Sequence, residues 1–161
     1  MKKLCGIFLA ALLLTACGRQ ETMETVADEL VEPAMAQPRQ VSVHLPEEAV
    51  SPVLENGSSQ VYIGSDYEIM VETMSAGDLS ETVRSLTGYE KEDLTVMETD
   101  QEGFRRYDFV WASAGETGER LGRAVILDDG SYHYCLSVLR DAAEKKSQIV
   151  WSDVFDSFTL A

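Results

Sequence analysis

The sequence predicts an α+β domain, an antiparallel β-sheet packed by two helices, set behind a signal peptide and a disordered linker. Three observations predict it. After Phe8 the next aromatic residue is Tyr62, so every later aromatic lies in the final hundred residues. Short segments with alternating apolar residues recur between turn signals from Val61 to Leu139. Two other stretches carry apolar residues at helical spacing, too few helices for parallel crossovers.

The chain begins with Lys2 and Lys3 and continues from Leu4 to Leu14 in an unbroken run of apolar or small residues. Residues 1–16 read as a signal peptide, since a membrane span needs about 20 apolar residues and this run stops short. Leu14-Thr15-Ala16-Cys17 resembles the bacterial lipobox. That resemblance implies a diacylglycerol on the Cys17 thiol, cleavage just before it, and a chain lipid-anchored on the extracytoplasmic face of the cell membrane. Two acyl chains, at about 0.8 kcal/mol per buried methylene, would hold it there without a protein span. Residues 17–40 then read as a lipid-anchored acidic linker. Glu21, Glu24, Asp28, Glu29 and Glu32 accompany Pro33 and Pro38, with no side chain large enough to seed a core.

The domain is expected over residues 41–161, with its core in about 60–161. Val41 to Leu45 alternates like an edge strand and ends at Pro46, and residues 47–59 read as a loop. Val61 to Ile63 and Tyr67 to Glu72 flank Gly64-Ser65-Asp66, which suggests a hairpin with Tyr67, Ile69 and Val71 on one face. Asp78 precedes Glu81 at capping-box spacing, Leu79, Val83 and Leu86 follow a helical stripe, and Gly88 ends it. Leu94 to Glu98, Arg105 to Ala112, Leu121 to Asp128 and Tyr132 to Leu139 read as four further strands. Ala142 to Leu160 reads as a closing helix, with Val150, Trp151, Val154, Phe155 and Phe158 building one apolar face.

This order, together with Tyr132-x-Tyr134 and Trp151-x-x-Val154-Phe155-x-Ser157-Phe158, resembles the PsbP-like fold over about residues 60–161. It is also similar to small lipoproteins of anaerobic gut bacteria that carry such a domain behind a lipobox. The resemblance implies a binding or assembly factor rather than a catalyst, although fold alone does not fix function.

Charge and motif content point the same way. The chain has 28 acidic against 13 basic residues, a formal net charge of −15. Such a chain repels phosphate backbones, so nucleic acid is not an expected partner. His44 and His133 are the only histidines, and neither a zinc-protease helix motif nor a paired Cys-x-x-Cys occurs. No nucleophile elbow or phosphate-loop glycine spacing is present, so no nucleotide, metal or other cofactor and no catalytic residue is expected. His133 with Cys135, or an acidic pair, would be the basis of an alternative reading as an envelope hydrolase, but His133 and Cys135 share one side of a strand and point outward in parallel, and an unpaired cysteine is among the most buried residue types. Asp128-Asp129-Gly130 has the composition of a hairpin turn, and Glu90, Glu92 and Asp93 read as a solvated surface.

The strand faces leave one candidate surface. Arg105, Tyr107, Phe109 and Trp111 share one side of their strand, and Tyr132, Tyr134, Leu136 and Val138 share one side of theirs, both expected in the core. The opposite sides offer Arg106 and Asp108, and His133, Cys135 and Ser137. Arg106, Asp108, His133 and Ser137 are therefore the candidate binding surface. The expected partners are the membrane, through the lipid on Cys17, and an envelope protein.

Overall fold

The structure, a computed structural model, describes residues 36–115, 118–142 and 149–161. The signal peptide, Cys17 and the linker as far as residue 35 lie outside the described residues. Ala36–Ala161 form one compact unit. Strand β1 (Val41–Ser42) is short and stands apart from the main sheet. Residues 47–59 are not all loop, because β2 (Leu54–Glu55) pairs with β3 (Ser59–Ile63). Asn56 turns the chain between them, its Oδ1 accepting from the backbone N–H groups of Ser58 and Ser59, each at 2.9 Å.

β3 and β4 (Tyr67–Ser75) form the expected hairpin, and Tyr67, Ile69 and Val71 are buried on one face. Helix α1 (Leu79–Thr87) begins where Asp78 accepts from Ser80 N–H at 2.9 Å. It ends at Gly88, whose left-handed φ of 78° is the conformation glycine takes without a Cβ penalty. A 3-10 turn (Lys91–Asp93) leads into β5 (Met97–Gln101), which starts three residues later than Leu94. β6 (Phe104–Gly115), β7 (Gly118–Asp128) and β8 (Tyr132–Asp141) are longer than expected. At the β7–β8 turn Asp129 Oδ1 accepts from Ser131 and Tyr132 N–H, and Asp128 Oδ1 accepts from Gly130 N–H at 2.8 Å. Those carboxylates are spent on the turn.

The closing segment departs from the expected helix. Among the described residues α2 covers only Trp151–Asp156, and β9 (Thr159–Leu160) then pairs antiparallel with β1. Residues 143–148 lie outside the described residues. Val154, Phe155 and Phe158 are buried as the apolar spacing implied, but Val150 is exposed and precedes the helix.

The main sheet is antiparallel throughout, in the order β2-β3-β4-β8-β7-β6-β5. It has a core on each face. Tyr67, Ile69, Val125, Leu136 and Val138 pack with Val154, Phe155 and Phe158 on the α2 side. Tyr107, Phe109, Trp111, Ala124, Ile126 and Cys135 pack with Val83 on the α1 side. Period-2 alternation on strands buried on both faces produces this division. No helix among the described residues is long and apolar enough to cross a membrane.

Candidate binding groove

The predicted surface does not assemble. The register sets Tyr107 beside Ile126 and Cys135, whereas Asp108 lies beside Val125 and Leu136. Arg106 and Asp108 therefore face α2, while His133, Cys135 and Ser137 face α1. The two aromatic stripes likewise lie on opposite faces of the sheet. His133 is only 2% exposed and Ser137 is also buried, so neither offers an open surface.

On the α1 face, His133 Nδ1 lies 2.8 Å from Thr82 Oγ1, in a hydrogen bond between strand and helix. Burial pushes the imidazole pKa down, opposed by the nearby carboxylates of Asp128 and Asp129. Cys135 is 1% exposed. Burial, and secondarily the charge of Glu72, pushes its thiol pKa far up. A nucleophilic cysteine needs the opposite shift.

On the α2 face, Arg106 and Asp108 form a half-buried, fully paired framework rather than a free surface. Arg106 Nε donates to Asp108 Oδ2 at 2.7 Å. Its two terminal nitrogens donate to the carbonyls of Phe155 at 3.0 Å, which also accepts from Phe158 N–H at 3.3 Å, and of Phe158 at 3.3 Å, where α2 ends. Arg123 donates to the other Asp108 oxygen at 3.0 Å and stacks over the Phe155 ring at 4.3 Å. Asp108 thus sits between two guanidinium groups, and Phe155 is held from both sides.

Beside this framework α2 is too short to cover the sheet. A groove of about 560 Å³ remains over β6, β7 and β8. Two rows of side chains cross its floor, Val110–Arg123–Val138 and Ala112–Leu121–Arg140. Trp151 and Phe155, one helical turn apart, also line it. Beneath the floor Trp111 packs on the other face against Gly122, where a Cβ would collide with the indole. Val110 is 63% exposed and Leu121 38% exposed. Among the described residues no carboxylate lines the groove.

No family model and no curated protein matches the chain. The groove must be read from its own chemistry.

Trp151, Arg123 and Arg140 were not among the candidate residues of the sequence. The spacing of Trp151 and Phe155 signalled an apolar helix face, but only the strand order shows that Trp151 meets the ends of β6, β7 and β8. Among the described residues, three or more potential metal ligands are nowhere grouped.

Proposed function

We propose that the chain is a lipid-anchored lipoprotein of the extracytoplasmic face of the cell membrane, whose domain serves as a binding or accessory module of the envelope without catalysing a reaction. The groove walled by Trp151 and Phe155 carries the reading. Its concave, largely apolar lining with a few polar groups is the usual form of a ligand site. The anchor rests on Leu14-Thr15-Ala16-Cys17 at the end of the apolar run, and the likeness to the PsbP-like fold agrees with a binding role.

Anchoring is tested by Cys17→Ala. The unaltered chain should fractionate with membranes and incorporate a labelled fatty acid, and the variant should lose both. Equal membrane retention and processing in the two would overturn the lipoprotein reading.

A second reading, assembly with another envelope protein, is favoured by the exposed apolar side chains of Val110, Leu121 and Val150. It predicts recovery of one stoichiometric partner with the full chain from the source envelope, lost in Val110→Glu.

A further inference from the structure

We infer that the groove over β6, β7 and β8 binds a small amphipathic carboxylate, with its anionic head on Arg140 and its apolar body along Val110, Leu121, Val138 and Trp151. The inference rests on reading the domain as a binding module and adds the chemical class of its ligand.

Charge selects the head. The chain carries 28 acidic residues, yet among the described residues none lines this groove, which instead holds Arg123 and Arg140. Arg123 stands opposite Val138, two residues from Arg140 on the neighbouring strand, a diagonal separation of about 7–8 Å. Arg123 is occupied by Asp108 at 3.0 Å and by the Phe155 ring. Asp108 is shared with Arg106, so two cations already meet one anion there. Arg140 is exposed, and its side chain has no hydrogen bond or ion pair among the described residues. One unpaired guanidinium beside a framework with an excess cation suits a monoanion. A phosphate monoester brings a charge of about −1.5 to −2 and calls for more donors.

Dimensions select a small molecule. The floor spans three strands, about 10 Å between the outer two, and its two rows lie about 7 Å apart along the strands. A peptide helix is about 10–12 Å across and needs a longer trough, whereas about 300–1,000 Å³ is usual for a small ligand. The apolar floor beside Arg140 accommodates an alkyl or aryl body, whose burial would remove Val110 and Leu121 from water.

The test uses the full chain in lipid nanodiscs, biosynthetically labelled with fluorotryptophan and followed by fluorine NMR. The chain has two tryptophans. Trp151 lines the groove with Phe155, whereas Trp111, also among the lining residues, packs its indole against Gly122 in the core of the opposite face. Octanoate should move the Trp151 signal saturably and by more than that of Trp111. Octanamide, the neutral analogue, should bind at least about tenfold more weakly, and Arg140→Gln should lose about tenfold in octanoate affinity with both free-state signals unchanged. Absence of a saturable Trp151 shift would overturn the proposal. Equal affinity for octanamide, or undiminished affinity in Arg140→Gln, would remove the anionic head from it. Tighter binding of octyl phosphate would reject the carboxylate. None of these outcomes bears on lipidation of Cys17, which the membrane-retention experiment reads separately.

Discussion

Arg106 illustrates how one side chain closes several accounts at once. Its fork meets a carboxylate and two carbonyls at the end of α2, three acceptors that would each lose a charge-assisted donor without it. Arg106→Met should therefore cost about 2–3 kcal/mol, read as a lowered denaturation midpoint with unchanged m-value. Arg106→Lys should recover little, because an ammonium cannot reproduce the planar fork. His133 gives a pH dependence with a definite sign. The folded state lowers its pKa, so between the folded value and the unfolded one near 6.5 the unfolded chain binds more protons. Its stabilising contribution is complete above about pH 6.5 and declines as pH falls toward the folded pKa. Thr82, Asp128, Asp129 and Arg105 are the groups that face it. Thermal unfolding at about pH 7.5 and about pH 5.5 should show a larger acid loss for the unaltered chain than for His133→Asn; equal losses would contradict this. His44 is exposed and common to both chains.

Local chemistry made some elements legible in the sequence. The hairpin around Gly64-Ser65-Asp66, the α1 boundaries at Asp78 and Gly88, and the Asp128-Asp129-Gly130 turn are set by residues within a few positions of one another. Elements that depend on distant partners were less legible. Thr159 and Leu160 continue a helical apolar spacing, but pairing with Val41 and Ser42 draws them into a ribbon. The extended stretch ahead of β1 is fastened by equally distant contacts, with Arg39 N–H donating to Tyr134 Oη at 2.8 Å and Tyr132 Oη donating to the Ala36 carbonyl at 2.7 Å. Composition alone assigns these residues to a linker. The groove was hidden for the same reason, since its floor exists only once three strands are in register. Gly122 is the element-scale test of that register. Gly122→Ala would drive a methyl group into the Trp111 indole, and overpacking of this kind should cost about 1–3 kcal/mol in chemical denaturation. A neutral substitution would contradict the strand packing described.

At the scale of the whole molecule, the formal charge is −15, and the fold, whose two cores are apolar on both faces of one sheet, carries most of it, with 23 acidic against 10 basic residues in 36–161. Like-charge repulsion opposes compactness, and salt screens it over about 8–10 Å at physiological strength. Raising sodium chloride from about 0.02 M to about 0.2 M should raise the melting temperature, and a fall would show that the paired arginines outweigh the surplus acid. The strand order has another consequence, for assembly in time. β8 lies between β4 and β7, so the section holding β2, β3 and β4 and the section holding β5, β6 and β7 have no direct strand pairing until β8 joins them. As the chain lengthens during synthesis, both sections are complete while the strand that unites them is still missing. Each then presents an open apolar edge, with the hazard of pairing to another chain. A domain built around its last long strand matures late, and a nascent chain cut short before Tyr132 would be two unjoined sheets rather than a smaller version of the fold.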